Sequence, residues 1–319
     1  MHAPGRPLIV RLRNWVGDVT LSLPTLQRLQ AAGYALQLIG KGWARDLLAG
    51  HGWPVHTLGK NHRERVGQLR ELRGAALAVD PGFDSRLNAI AFPYSFSSAL
   101  EMRLAGLRAI GYRHEARSLL LARSVARPAA RHELAIYWQL GSAFLGQAAP
   151  LPDEVRLRLA PEHIDQADQR RQQQRVRPGY VVICPFAGGT FEKLDKNWPE
   201  FAEFAARDLP PLGRDIVVCP GPGEEEIAAR DFPGCITLPG VGLGAYAALL
   251  RDAALVISND TGPGHMAAAV GTPLVSVLGP TDPARWGAWG PGVHIVRGDP
   301  LWPTRATVLD AAREQLRTR

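Results

Sequence analysis

The sequence predicts an α/β protein built on two doubly wound parallel sheets. Short apolar runs alternate with longer amphipathic segments, which is typical of parallel strands covered by helices. This rhythm resets near residues 150–161, and 319 residues are enough for two domains of similar size. Ligands of such folds bind at the carboxyl ends of the strands and in clefts between domains. We therefore expect a site in a cleft between two facing domains.

The individual elements follow from the apolar runs. The predicted strands are residues 8–12, 35–39, 75–79, 155–159, 180–184, 216–219, 253–258 and 274–278. The strand at 75–79 ends at a turn signal, Asp80-Pro81-Gly82. Residues 305–317 are predicted to form an amphipathic helix. The predicted domains are therefore residues 1–155 and 156–304, followed by a C-terminal helix at 305–319.

The charge balance suits an anionic partner or general solubility. The chain has 37 Lys and Arg residues against 30 Asp and Glu, a net charge of +7. A nucleotide, a phosphorylated glycan, a membrane surface or a nucleic acid would all fit this charge. The three cysteines form no CxxC pair, so we expect no metal site and a reducing compartment. No segment reads as a secretory signal or a membrane span, which predicts a cytoplasmic protein with at most peripheral membrane contact.

The first candidate site segment is RLRNWVGD at residues 11–18, where a strand passes through a glycine turn into a helix. Asp18 stands where that helix starts, so one interpretation is a helix cap. The alternative is a general base that points into the cleft. Transfer of a sugar to a hydroxyl needs such a base, and a carboxylate also stabilises the positive charge that develops on the sugar.

A second segment, PFAGGT at residues 185–190, continues to Lys196 and Pro199. A strand runs into a Gly- and Thr-rich loop, and a lysine precedes a helix whose first turn would hold Pro199. Backbone N–H groups and a lysine in this arrangement form an anion site. The alternative is an ordinary loop with a solvated Lys196.

A third segment, SNDTGPGH at residues 258–265, brings polar residues to a strand end and then opens an Ala-rich helix. The start of that helix suits a pyrophosphate, and Asp260 and His265 suit sugar hydroxyls. The segment matches neither a Walker loop nor a GxGxxG fingerprint. The alternative is that Asp260 caps the helix and His265 is a structural histidine.

A fourth segment, PGPGEEE at residues 220–226, places three acids at a helix start. The helix dipole favours acids at this position, and two of the three are expected on a solvated face. The remaining acid suits a ribose hydroxyl, as in other nucleotide sites.

Together these segments resemble the heptosyltransferases that build the inner core of lipopolysaccharide. RLRNWVGDVTLSLPTL resembles the N-terminal motif of that family and favours the form found in the second heptosyltransferase. KNWPEFAEF and NDTGPGHMAAAVGTPLVSVLGPTDPARWG resemble its Lys-x-Trp-Pro and donor-site motifs. The resemblance implies a GT-B fold, inversion at the anomeric carbon, and neither metal nor cofactor. It also implies ADP-heptose as donor and an anionic lipid A core bearing Kdo or heptose as acceptor.

The resemblance also assigns roles by position. Asp18 falls on the base and Glu224 on the ribose contact. Lys196 falls on the pyrophosphate contact, with Thr190 in the same loop. Contacts with the donor sugar and phosphates fall on Asp260, Thr261, Gly262 and His265. By analogy with GT-B enzymes, the C-terminal helix is expected to fold back on the first domain.

The acceptor site is less marked, because residues 85–131 match no family motif. This stretch is rich in arginine, which suits an anionic acceptor or a solvated helix face. The candidate acceptor contacts are Arg11, Arg13, Asn14, Arg113 and Arg117. The donor motif also departs from the family, since Pro263 and Gly264 stand where Leu and Met are common.

Three other functions remain open from the sequence. One is a GT-B glycosyltransferase that uses another nucleotide sugar or a different acceptor. Another is a sugar-nucleotide epimerase, which needs no acceptor. The last is a non-catalytic binder of anionic glycans or nucleic acid, although the family resemblance implies no nucleic-acid partner.

Overall fold

A computed structural model describes residues 5–129, 131–188, 190–191, 193–299 and 301–317. The chain forms two compact units. The first comprises Met1–Leu48 and Gly52–Pro152, and the second comprises Ala49–His51 and Asp153–Arg319. The chain passes into the second unit after Pro152, three residues before the predicted boundary.

The first unit has one parallel sheet. Its strands are β1 (Arg6–Arg11), β2 (Tyr34–Gly40), β3 (Val55–Thr57), β4 (Ala89–Ala91), β5 (Ala109–Tyr112) and β6 (Arg123–Val125). The order across the sheet is β3-β2-β1-β4-β5-β6, and each neighbouring pair is parallel. Leu8, Ile9 and Val10 of the central strand have no exposed surface. A strand covered on both faces carries such a continuous apolar run.

Five helices of the described residues belong to the first unit. They are α1 (Val16–Ala31), α2 (Trp43–Leu48), α3 (His62–Val79), α4 (Phe96–Leu104) and α5 (Glu133–Leu145). The predicted strand at 75–79 is wrong, because these residues form the last turns of α3. Val66, Leu69 and Ala76 are buried on one face at helical spacing, and the Ala-rich run favours a helix.

The second unit repeats the same sheet topology. Its strands are β7 (Val181–Cys184), β8 (Thr190–Phe191), β9 (Leu194–Asp195), β10 (Ile216–Val218), β11 (Ile236–Thr237), β12 (Leu255–Asn259), β13 (Leu274–Leu278) and β14 (Val293–Arg297). The parallel sheet has the order β11-β10-β7-β12-β13-β14, and β8 and β9 form a separate antiparallel pair. The helices are α6 (Pro161–Gln173), α7 (Phe201–Arg207), α8 (Glu225–Asp231), α9 (Leu243–Asp252), α10 (Gly262–Ala269), α11 (Pro283–Trp286) and α12 (Arg305–Arg317).

Both sheets confirm the predicted fold class, and both reverse their strand order at one place. In the first unit the reversal lies between β1 and β4, and in the second it lies between β7 and β12. Ligands of doubly wound sheets bind beside such a reversal, at the carboxyl ends of the strands. The loops that follow these four strands are therefore the places where each unit can build a site.

Two further expectations are corrected. Residues 155–159 form no strand; Val155 and Leu157 are buried, and Leu157 donates a backbone hydrogen bond to Ala269 at 2.9 Å. Helix α7 begins at Phe201, so Pro199 lies in the turn before it. Helix α12 packs on β12, β13 and β14 of its own unit. Val308, Ala311 and Ala312 of α12 belong to the core of the second unit.

Among the residues described, no helix has both the length and the apolar character to cross a membrane.

Candidate functional site

Asp18 lies in the first turn of α1, beside the strand reversal of the first sheet. The N-cap of α1 is Trp15, whose side chain makes no capping bond, so the capping interpretation of Asp18 is wrong. The Asp18 side chain is 8 % exposed. Its Oδ1 accepts a hydrogen bond of 2.6 Å from the Tyr137 hydroxyl, and Arg13 Nε lies 3.4 Å from its Oδ2. The carboxylate is thus held by tertiary contacts within the first unit.

Charged and aromatic side chains continue outward from this carboxylate through Arg13. The guanidinium groups of Arg13 and Arg127 both lie against the Tyr94 ring, 4.5 and 4.4 Å from its centroid. The Tyr94 hydroxyl donates to Glu133 Oε2 at 3.0 Å, and Arg127 donates to Glu133 Oε1 at 2.6 Å. We call these residues, together with Asp18 and Tyr137, the Asp18 network. Burial opposes the Arg13 charge, but the facing Tyr137 and Asp18 raise the pKa of Arg13.

The structure separates the predicted acceptor residues into buried and exposed groups. Arg11 is 5 % exposed and donates to the Leu12 carbonyl at 2.7 Å, while Asn14 is exposed. Arg113 is also exposed. Arg117 has no exposed surface and donates to the Pro93 carbonyl at 2.7 Å. Burial lowers the pKa of Arg11 and of Arg117 to about 10. Arg117 therefore contacts the protein interior in this structure, and its contact with an acceptor stays a prediction.

The second unit brings Lys196 and Asp260 together beside its own strand reversal. Lys196 Nζ donates to the Asp260 carbonyl at 3.0 Å and to its carboxylate Oδ2 at 3.3 Å. His265 Nε2 lies 3.9 Å from Asp260 Oδ1. Burial opposes the Asp260 charge, yet His265 and Lys196 beside it lower the pKa of this carboxyl. Lys196 is thus not a solvated side chain of an ordinary loop.

The start of α10 carries the remaining donor candidates. Its N-cap is Thr261, so Asp260 does not cap it, and Gly262 is its first residue. A Cβ on Gly264 would lie 2.9 Å from Ser258 Oγ, so α10 approaches β12 too closely for a larger residue. A helix start has partial positive charge and favours anions, although Pro263 removes one N–H donor.

Asn259 is a structural member of the site that the sequence reasoning did not single out. Its side-chain amide donates to the Pro185 carbonyl at 2.6 Å and accepts from the Trp198 N–H at 3.2 Å. It therefore ties the loop after β7 and the segment around Lys196 to the end of β12. Its place inside the NDTGPGH motif is the sequence feature that could have identified it. Tyr137 had none, because it is 119 residues from Asp18 in sequence.

The other donor candidates have mixed settings. Glu224 precedes α8, and its carboxylate accepts the Gly221 N–H at 2.7 Å, while Glu225 and Glu226 are exposed as expected for solvated acids. The backbone of Thr190 pairs with Asp195, and its side chain lies outside the described part of the structure. Across the described residues, His, Cys, Asp and Glu side chains form no group of three that could hold a metal.

Two doubly wound sheets with polar loops at their strand reversals define an α/β protein whose ligand sites are expected at those reversals. The chain belongs to glycosyltransferase family 9 (heptosyltransferase), whose sequence profile matches residues 86–312.

Individual relatives agree with this assignment. The chain is 26% identical to the lipooligosaccharide heptosyltransferase 2 of Haemophilus influenzae, over 85% of this chain and 82% of that protein. It is 36% identical to the lipopolysaccharide heptosyltransferase 3 of Escherichia coli over 122 residues, which span 36% of this chain and about a third (35%) of that protein. The structure of the E. coli ADP-heptose lipopolysaccharide heptosyltransferase II matches with a TM-score of 0.78 at 23% identity, covering 98% of this chain and 99% of that one. This likeness shows the fold, which is GT-B.

Proposed function

We propose that this chain transfers heptose from ADP-heptose to the inner core of lipopolysaccharide, with inversion and without a metal. The observation that carries the proposal is the Asp18 carboxylate at the strand reversal of the first sheet, held by Tyr137 and Arg13. Membership of the heptosyltransferase family and the name of the E. coli structural relative support the donor and the acceptor class.

In the proposed reaction, Asp18 takes the proton of an acceptor hydroxyl as its oxygen bonds to the anomeric carbon. The bond from that carbon to the pyrophosphate oxygen breaks, and ADP leaves with the electron pair. A single displacement of this kind inverts the anomeric configuration. The buried carboxylate also offers negative charge to the oxocarbenium-like transition state.

We assign donor binding to the second unit. Lys196 and the N-terminus of α10 would neutralise the pyrophosphate, and Glu224 would bind the ribose. Asp260 and His265 would contact the donor sugar, with Thr261, Gly262 and Thr190 beside the phosphates. His265 supports this role, because it is 8 % exposed and its Nδ1 has no hydrogen-bond partner among the described residues. A buried nitrogen of this kind is costly unless a ligand satisfies it.

We assign acceptor binding to the first unit. This unit would contact the cytoplasmic face of the inner membrane peripherally. Trp15, Phe96 and Leu119 are 65, 42 and 86 % exposed. Trp15 and Phe96 follow the adjacent parallel strands β1 and β4, so they lie toward one edge of the sheet, and Leu119 lies in the connection between β5 and β6. The exposed Arg113 follows β5 as well. Apolar side chains beside cations suit an anionic lipid surface, where a lipid A core resides.

The experiment is ADP release from the purified protein with ADP-heptose in EDTA, with and without truncated core acceptors. Wild-type protein should release ADP only with an acceptor. Asp18→Asn should lower turnover by about a thousandfold or more and leave ADP affinity unchanged, because a base acts mainly in the transition state. The matched control is Asp165→Asn, which alters an exposed aspartate of α6.

Each part of the proposal has its own contrary outcome. Near-normal turnover of Asp18→Asn would remove Asp18 from the base role. Loss of activity in EDTA that Mg²⁺ restores would remove metal independence. Release of UDP or GDP from their sugar nucleotides, without release of ADP from ADP-heptose, would overturn the donor assignment and leave the fold unchanged.

A further inference from the structure

We infer that Tyr137 is a positioning residue that decides which carboxylate oxygen of Asp18 accepts the acceptor proton. The inference rests on the proposed role of Asp18 as base and extends it to a residue on a different helix. The Tyr137 hydroxyl donates to Asp18 Oδ1 at 2.6 Å, within the short range of charge-assisted hydrogen bonds.

Packing holds both the Tyr137 side chain and the helix that carries it in place. Its side chain is 1% exposed, and its ring meets Phe92 edge to face with centroids 5.2 Å apart. Helices α1 and α5, which carry the two partners, pack along each other. At Gly141, one turn after Tyr137, an added Cβ would lie 2.5 Å from Thr25 Cγ2 of α1. This close approach sets the separation of the two helices, so the hydroxyl has little freedom relative to Asp18.

The two carboxylate oxygens of Asp18 are therefore not equivalent. Tyr137 keeps its proton, because burial and then the Asp18 charge raise the pKa of its hydroxyl well above the ordinary value. Oδ1 accepts the hydrogen bond from this donor. Among the described residues, the contact of Oδ2 is Arg13 Nε at 3.4 Å, an ion pair in which that nitrogen makes no hydrogen bond. Oδ1 has one of its two acceptor sites occupied, whereas Oδ2 accepts no hydrogen bond from Arg13 and is the oxygen with both sites open to a substrate hydroxyl.

Charged and titratable groups from several segments of the first unit face this pair. Arg13 after β1, Tyr94 after β4 and Glu133 on α5 interact with Tyr137 directly. Arg117 after β5 and Arg127 before α5 interact with Tyr94. Replacing Tyr137 by Phe changes none of these charges and keeps the ring that packs on Phe92. A shift in the pH dependence of the reaction would then report the lost hydrogen bond.

The test is the pH dependence of kcat and kcat/KM in Tyr137→Phe. We expect kcat to fall about tenfold, because orientation of the base matters mainly in the transition state. The KM for the donor and the KM for the acceptor should each change by less than about twofold. A hydrogen bond to a carboxylate favours its ionised form, so its loss should move the acidic limb of kcat/KM to higher pH.

The matched control is Tyr112→Phe in the same unit. Tyr112 is also 1% exposed, but its hydroxyl donates to the Ile136 carbonyl at 2.7 Å and not to Asp18. This variant should keep the wild-type acidic limb and kcat. ADP affinity and the thermal midpoint of both variants establish that the chain has folded.

Two outcomes separate the inference from the function on which it rests. If Asp18→Asn is inactive while Tyr137→Phe keeps the wild-type acidic limb, or loses kcat only as far as Tyr112→Phe does, the positioning role is overturned and the base stands. If Asp18→Asn turns over normally, the base itself is overturned.

Discussion

Lys196 Nζ bonds both the backbone carbonyl and the carboxylate of Asp260, at 3.0 and 3.3 Å. The lysine follows the β8–β9 pair and the aspartate follows β12, so one ammonium group joins two loops at the carboxyl edge of the second sheet. Its side chain is 19% exposed. A cation held in place before a ligand arrives loses little entropy when it binds a phosphate.

Lys196→Ala should therefore weaken ADP binding by at least about tenfold, because it removes a positioned charge from the proposed pyrophosphate site. Isothermal titration with ADP measures this directly. The control is Lys193→Gln, which removes an exposed positive charge three residues earlier and should change affinity little. Equal losses in the two variants would mean that only the overall charge matters.

A second prediction concerns the contact of α10 with β12. Gly264→Ala should lower the thermal midpoint, because the new Cβ would meet Ser258 Oγ at 2.9 Å and overpacking costs roughly 1–3 kcal/mol. The control is Gly67→Ala in α3, where an added Cβ meets nothing within 4 Å. That change should raise stability by about 0.5–1 kcal/mol through helix propensity. A Gly264→Ala protein as stable as Gly67→Ala would disprove the close approach.

The stability of the second unit should depend on His51 in mildly acidic solution. Its Nε2 accepts the Arg158 N–H at 3.2 Å. Burial, and then the nearby Arg158 charge, lowers the pKa of His51 from 6.5 to about 4. The unfolded chain then binds more protons than the folded chain between these values, so stability falls as the pH falls. The full contribution, present above about pH 6.5 and lost toward pH 4, is on the order of 3 kcal/mol.

The experiment for His51 is urea unfolding of the wild type and His51→Gln at several pH values from 7.5 to about 4. Glutamine keeps an acceptor but does not titrate in this range. The wild-type advantage should shrink on acidification. Parallel pH dependences for the two proteins would show that His51 does not supply the effect.

A further prediction tests the membrane contact. Trp15→Ser with Leu119→Ser should lower binding to phosphatidylglycerol vesicles by at least about tenfold, since each buried large apolar side chain contributes about 1.5–3 kcal/mol. The control is Val79→Ser, a side chain that is 60% exposed at the C-terminal end of α3. Co-sedimentation with anionic and with phosphatidylcholine vesicles measures the binding. A wild-type protein that binds neither vesicle would reject the surface.

Sequence patterns were sufficient where the signal is local. The alternation of apolar runs and amphipathic segments predicted two parallel sheets, because a strand covered by helices on both faces must be apolar throughout. The motif loops fell at the carboxyl ends of β1, β7 and β12 for the same reason. The strand predicted at 75–79 was wrong, because a short apolar segment fits a strand or the end of a helix equally well.

Only the tertiary structure decided which distant residues meet. Asp18 as a base was a hypothesis from its motif, but its partner Tyr137 comes from a helix 119 residues away. No local pattern marked Arg117 as wholly buried or α12 as part of the second unit. Local propensity and periodicity determine elements, whereas contacts between elements depend on packing across the whole unit.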